Sequence, residues 1–381
     1  MNAYLNNAAT TQTKPECVYT AMDDFMRNIC AISGRSANSR AIQAGRIITN
    51  ARERLAALFG ISDSSRIVFT LNCTEALNLA VKGLLQEGDH VVATPLEHNS
   101  VMRPLNALVS ERNITLSAAS ADASGITDPD SIRKLIRPET RLIVMTHASN
   151  VCGAIQPVEE CGRIAREHNI PLLVDAAQTA GHLPIDAERM NIDMLAFSGH
   201  KGLMGPQGVG VLCMSKQMNL CPLKQGGTGS RSSEEVQPEF LPDRFESGTP
   251  NTPGIAGLGA ALEFILKTGV DSIQKKITQT GQWFLQGLES VDGLTVYGPD
   301  DMARNTGVFS FRIKDMDPAT AAMELEERFS ITTRAGLQCA PSAHRIIGTF
   351  PDGTVRASIG YFTTREEIEY TVKSLQHLSR E

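Results

Sequence analysis

The chain has 381 residues, 41% hydrophobic and 20% charged, so it carries enough apolar content to bury a sizeable core and lacks the composition of a disordered or fibrous chain. Basic residues number 36 against 42 acidic ones, a net charge of -6 with no long block of one sign, which argues against a nucleic-acid surface. Met1 to Thr10 lacks a basic region followed by an apolar run, and no apolar stretch reaches the roughly 18 residues that span a bilayer, so the chain reads as cytoplasmic.

Short runs rich in Val, Ile and Leu recur at Arg66 to Thr70, His90 to Pro95, Arg141 to His147, Pro171 to Ala176, Met194 to Gly199 and Val209 to Met214. Each is strand-sized and bounded by polar residues or by Gly and Pro. Helical patterns lie between them at Thr74 to Leu85, Asp130 to Ile136 and Val158 to His168. That alternation predicts an α/β fold in which helices cover both faces of a mostly parallel sheet. Pro250 to Gly254 interrupts the pattern, and long helices are expected at Ile255 to Leu266 and Asp271 to Ser290. From Leu294 the order reads strand, helix, strand, strand, helix, a second and smaller α+β domain.

In open α/β sheets ligands bind beyond the carboxyl ends of the strands, so the residues after each strand are the candidates. After the first strand, Asn72 is spaced to cap a helix with Glu75 returning the bond as a capping box, while the N–H groups of Cys73 and Thr74 and the Thr74 hydroxyl suit an anion; capping is the favoured reading of this segment alone. The second strand delivers Glu97-His98-Asn99-Ser100, where His98 reads as a loop residue, a structural hydrogen-bonder or a ring-stacking group. Asn150, after the third, reads first as a turn residue and second as a donor to a ligand. Asp175 ends an apolar strand, where a carboxylate is costly unless a cation or strong donor meets it, and Gln178 lies three residues on. Lys201 stands between glycines in Ser198-Gly199-His200-Lys201-Gly202, a setting for a solvated loop lysine or for a desolvated amine. An anion-binding helix end, a His, a strand-end carboxylate and a Lys on successive strands match the needs of pyridoxal phosphate. The eight cysteines form no CxxC pair and no zinc spacing, so neither structural disulfides nor a metal site is expected.

At this point the sequence resembles the class V aminotransferase group of fold-type I pyridoxal-phosphate enzymes, in the branch of cysteine desulfurases and selenocysteine lyases. The matching segments are Tyr4 to Thr11, Thr74 to Asn78, Glu97 to Asn99, Ser149 to Val151, Asp175 to Gln178, Ser198 to Lys201, Phe245 to Pro250 and Arg334 to Ala340. The resemblance implies a large cofactor-binding domain over 15–262, a small C-terminal domain over 263–381 and an arm, 1–14, associated with the small domain. It implies that Lys201 holds the cofactor's aldehyde, Asp175 partners the ring nitrogen, His98 stacks on the ring and Gln178 bonds its phenolic oxygen. Ser198, His200, Thr74 and the Cys73 N–H are implied as phosphate ligands, with Thr249 reaching the phosphate of the neighbouring subunit in a homodimer. Asn150, Arg356 and Ala9 are implied at the amino-acid substrate, and Arg356 suits a bidentate grip on its carboxylate.

Cys339, in a short loop five residues after Arg334, resembles the nucleophile of the desulfurase branch, against the bland reading of a small buried apolar residue. In that mechanism Lys201 is base and later acid, and the Cys339 thiolate takes the substrate sulfur, leaving alanine and a persulfide that passes to an acceptor protein or an external reductant. The chain departs from the pattern where Gly34-Arg35-Ser36-Ala37-Asn38 lacks a histidine and where Gln338 precedes the cysteine; His344 reads as a helix-cap or surface residue. Two rival readings stand beside a desulfurase: selenocysteine lyase, other C–S lyase or transaminase activity, and a non-catalytic cofactor-binding scaffold.

Overall fold

The computed structural model describes residues 1–33 and 38–380. The first stretch of the departing segment, Gly34 to Ala37, lies outside the described residues. In chain order the elements begin with β1 (Ala3–Tyr4), α1 (Glu16–Asp24), α2 (Ser39–Phe59), β2 (Ile67–Thr70), α3 (Cys73–Leu84), β3 (His90–Ala93) and α4 (Asn99–Arg112). They continue with β4 (Thr115–Ala118), α5 (Pro129–Leu135), β5 (Thr140–Thr146), α6 (Val158–Glu167), β6 (Leu172–Asp175), β7 (Met194–Ser198), β8 (Gly210–Met214), α7 (Thr252–Thr268) and α8 (Val270–Glu289). The last are β9 (Leu294–Tyr297), β10 (Val308–Ile313), α9 (Pro318–Phe329), β11 (Ile331–Thr332), β12 (Arg334–Gly336), α10 (Pro341–Ile346), β13 (Thr354–Ser358) and α11 (Arg365–Leu378).

Seven strands form the central sheet in the order β2-β8-β7-β6-β5-β3-β4. Pairings from β7 through β4 are parallel, and β8 runs antiparallel to both its neighbours, so the sheet is mixed and mostly parallel as expected. The apolar runs are explained by burial on both faces. Along β5, Leu142 and Val144 enter one core with Val91, Leu173, Ala196 and Leu212, while Ile143 and Met145 enter the other with Val174, Phe197 and Leu258. The edge strand β4 was not legible as an apolar run: its residues, Thr-Leu-Ser-Ala, are exposed or half-buried.

The C-terminal part holds a four-stranded antiparallel sheet, β12-β13-β10-β9, covered by α8, α9 and α11 around Phe284, Phe309, Phe311 and Val355. It has two strands and one short helix, α10, more than the sequence rhythm predicts. The N-terminal arm joins this side, since β1 pairs in parallel with β11 and Asn6 bridges Ser358. Helix α7 runs unbroken through residue 262, and Ile265 still packs in the core of the central sheet. Among the described residues no helix is long and apolar enough to cross a membrane.

Candidate active site

The parallel strands β5, β6 and β7 all end at the same edge of the sheet, and this edge gathers the predicted residues. Helix α3 starts there because Asn72 accepts from Glu75 N at 2.9 Å. The expected return bond differs: Glu75 Oε2 accepts from Leu71 N at 2.6 Å, one residue earlier, and its other oxygen pairs with Lys224. Gly210 makes this helix start possible, because a Cβ there would lie 2.2 Å from the Asn72 carbonyl carbon. Ser198, at the end of β7, accepts from Cys73 N at 3.3 Å, which joins the helix N-terminus to the strand. The Thr74 hydroxyl bonds Ser100 Oγ at 2.8 Å.

Asp175 ends β6, 4% exposed, with Oδ1 accepting from Ala177 N at 2.9 Å and from the Cys73 thiol at 3.5 Å. Burial raises the Cys73 thiol well above its ordinary value, and the Asp175 charge adds to that, so Cys73 is a neutral donor. Lys201 follows β7 in a tight turn where Gly202 is required: a Cβ on it would meet Ala180 O at 2.5 Å. Burial lowers the Lys201 amine, opposed by Asp175 and Cys73 and reinforced by Arg356 and Arg334.

His98 caps α4 by accepting from Ser100 N at 3.0 Å through Nδ1, so the ring proton sits on Nε2. Burial pushes its pKa down to about 4, and Asp175, Lys201, Arg334 and Arg356 all act on it electrostatically. Ser100 Oγ touches both Nδ1 of His98, at 2.9 Å, and Thr74. Beside it Glu97 is buried, with Oε1 accepting from Thr146 N at 2.7 Å and from the Thr94 hydroxyl and Oε2 without a partner among the described residues; burial raises it to about 8. Sequence reasoning assigned nothing to Glu97, Ser100 or Arg334, although all three fall in segments that it singled out.

The arm closes over the same edge. Gln178 donates to Ala8 O at 3.1 Å, Ala9 N bonds Asn6 O at 3.0 Å, and Thr11 N bonds His200 O at 3.2 Å. The His200 ring bonds Thr10 Oγ1 at 3.0 Å through Nδ1. From the other side come β12 and β13, where Arg334 stands directly opposite Arg356. Arg356 is 1% exposed, and burial pulls it down to about 9. Among the described residues its two bonds go to neutral oxygens, Asn150 O at 2.8 Å and Asn6 Oδ1 at 3.1 Å, and its Nε has no partner. A desolvated guanidinium so placed lacks the anion that would compensate it.

Cys339 is exposed, and Arg334 Nη2 donates to its sulfur at 3.4 Å. The side chain of Asn150 donates to Gln338 O at 2.7 Å, one of the bonds that hold the cysteine loop. His344 is not at the surface as expected: it is fully buried, bonded to Gln338 Oε1 and Thr349 Oγ1 at 2.7 Å each. Asn38 caps α2, accepting from Ala41 N at 2.9 Å. Thr249 is exposed in the loop after Glu246 and lines a surface groove of about 870 Å³ with Arg52, Gly227 and Arg231.

The residues at the sheet edge fit pyridoxal phosphate: a buried amine, a strand-end carboxylate, a neutral imidazole and a helix N-terminus backed by Ser198 provide for its aldehyde, ring nitrogen, ring face and phosphate.

A family model described as Aminotransferase class-V matches residues 3–371. A probable cysteine desulfurase of Methanothermobacter thermautotrophicus is 38% identical, over 99% of this chain and 95% of that protein. A cysteine desulfurase of Pectobacterium atrosepticum is 32% identical over 99% and 93%. Among solved structures, the apo cysteine desulfurase of Thermococcus onnurineus NA1 superposes with a TM-score of 0.94 at 33% identity, covering 100% of this chain and 95% of that one.

Proposed function

The chain belongs to the class V aminotransferase family, enzymes that use pyridoxal phosphate, and from that premise we propose that it is a cysteine desulfurase that moves the sulfur of L-cysteine onto Cys339 and releases L-alanine. The observation that carries this reading is the pairing of Arg334 and Arg356 on adjacent strands, one donating to the Cys339 sulfur and the other a buried cation without an anion among the described residues. A substrate carboxylate on Arg356 brings its side chain toward the thiol that Arg334 holds. Curated relatives named cysteine desulfurase, matched along nearly their full length, support it.

Lys201 would hold the cofactor's aldehyde, Asp175 would partner its ring nitrogen, His98 would stack on the ring and Gln178 would bond its phenolic oxygen. Cys73 N, Thr74, Ser198 and His200 would hold the phosphate, with Thr249 contributed from the second subunit of a homodimer. Asn150, Ala9 and Arg356 line the substrate. Bound pyridoxal phosphate supplies an electron sink for the charge left at the substrate Cα. Lys201 Nζ removes the Cα proton, and its lowered basicity leaves a share of the amine unprotonated to do so. His98, neutral with its proton on Nε2, donates to an acceptor and takes no proton through the buried Nδ1. The Cys339 thiolate attacks the substrate sulfur. The S–S bond forms as the Cβ–S bond breaks, Cβ takes up the proton released by the Cys339 thiol, Lys201 returns its proton to Cα, and the products are a Cys339 persulfide and alanine. The exposed loop leaves that persulfide open to an acceptor protein or a small thiol.

Anaerobic incubation of the purified protein with L-cysteine tests the reading. Peptide mass spectrometry is expected to find one added sulfur on Cys339 with a matching yield of alanine, and Cys339→Ala to abolish both. Turnover retained in that variant would replace desulfuration by transamination or elimination.

A further inference from the structure

The backbone around Cys339 is held in a conformation that its residue types resist. Gln338 and Cys339 are consecutive non-glycine residues with φ of 42° and 62°, in the left-handed region, after Gly336 at 94°. Such a pair persists only where surrounding bonds over-determine it. Here the bonds come from four separate elements. Asn150 Nδ2 donates to Gln338 O at 2.7 Å, and Asn99 N, at the start of α4, donates to Cys339 O at 2.8 Å. The Gln338 side chain turns inward, 2% exposed, and its Nε2 donates to Thr354 O at 3.0 Å on β13 and to Arg334 O at 3.3 Å. With its amide nitrogen donating, Oε1 is the acceptor and the partner His344 Nε2, at 2.7 Å, carries the proton. His344 Nδ1 then accepts from the Thr349 hydroxyl, also at 2.7 Å. Every polar atom of the Gln338 side chain is used within this network.

We propose that Gln338, backed by the His344–Thr349 pair, is the positioning residue of the nucleophile: its buried side chain locks the left-handed turn that presents the Cys339 sulfur to Arg334 and the substrate. The inference rests on the reading of Cys339 as sulfur acceptor. Gln338 touches no reacting atom and acts through the backbone of its neighbour. The sulfur is thus aimed by a fixed turn, and the gain is one of orientation, which is lost when the attacking atom moves by about an ångström.

The test uses the cofactor-loaded protein and four variants. Gln338→Met keeps length and volume without polar atoms, His344→Leu removes the donor to Oε1, their double variant tests whether the two act as a unit, and His344→Gln restores a donor. Alanine formation from L-cysteine is expected to lose on the order of 10- to 100-fold in kcat in the first two, with KM within about twofold. The double variant is expected to be no worse than either single one, and His344→Gln to recover most of the loss. Amide hydrogen exchange over 334–345, read by peptide mass spectrometry without substrate, should quicken in Gln338→Met and His344→Leu while the rest of the chain stays unchanged. Wild-type kcat in Gln338→Met, or additive losses in the double variant, would overturn the proposal. The exchange arm needs no turnover: if Cys339→Ala stays active, the desulfurase reading fails by itself, and unaltered exchange in Gln338→Met separately sinks the lock.

Discussion

Burial acts on Lys201 and Glu97 in opposite senses because one is charged when protonated and the other when not. For Lys201 burial lowers the amine, the direction a base needs. Lys201→Ala is expected to lose turnover by at least about 100-fold, the low end of what a positioned base contributes. Borohydride treatment followed by peptide mass measurement should trap cofactor on the wild-type peptide and none on the variant. For Glu97 burial raises the carboxyl to about 8, against 4.5 ordinarily. A raised folded-state value means that its stabilising share is complete below about 4.5 and is lost as pH climbs through about 8. Glu97→Gln keeps Oε1 for Thr146 N and Thr94 and puts an uncharged amide where Oε2 has no partner. The variant should match the wild type in urea midpoint at pH 5 and exceed it at pH 8, by on the order of 2–4 kcal/mol. Equal stability at pH 8 would mean that the carboxyl finds a partner when ionised.

Elements were legible where one physical signal dominated. The strands buried on both faces read as apolar runs, and α3, α5 and α6 lay within a residue of their expected ends. Three features were hidden. The edge strand β4 has too little burial to leave an apolar trace, the reversed direction of β8 depends on which strand it meets across the sheet, and α10 is only six residues long. At the site, residues standing directly after strands were visible from spacing alone. His344 was misread as a surface group because its burial arises from packing against Thr349 and Gln338, a contact that no local pattern encodes. The tie between α2 and the loop before Thr249 was equally invisible. Arg52, 7% exposed, bonds Ile67 O and pairs with Glu246 at 2.6 Å, and Glu246 accepts from Phe69 N at 2.6 Å. Removing the cation alone leaves Glu246 uncompensated, so Arg52→Ala should cost about 2–4 kcal/mol in urea unfolding. Arg52→Ala with Glu246→Gln should cost less than the sum of the two single changes, and strict additivity would rule the clamp out.

Across the whole molecule these buried titrating groups set the pH at which the fold is most stable. His98 and His200 stand where the cofactor is expected, and their protonation depends on what is bound. His147, His182 and His344 do not, and burial pushes each of the three down to about 4. A histidine with a depressed folded-state value contributes stability that is complete above its ordinary 6.5 and is lost as pH falls toward 4. His147 is only 5% exposed with Nδ1 unpartnered among the described residues, and by itself accounts for up to about 1.4 kcal/mol per pH unit across that window. Glu97 has the opposite slope and continues to about pH 8. Below about 6.5 these three histidines, joined by His90, which burial also lowers, oppose the one carboxyl, and stability falls with acid; above it Glu97 acts without them, and stability falls with base. Urea midpoints measured from pH 5 to 8 should therefore peak close to pH 6.5. His147→Gln should flatten the acid limb by roughly a third to a half and leave the alkaline limb alone, whereas Glu97→Gln should flatten the alkaline limb and steepen the acid one. A midpoint that rises steadily to pH 8 in the wild type would show that the Glu97 carboxyl ionises within the fold at little cost.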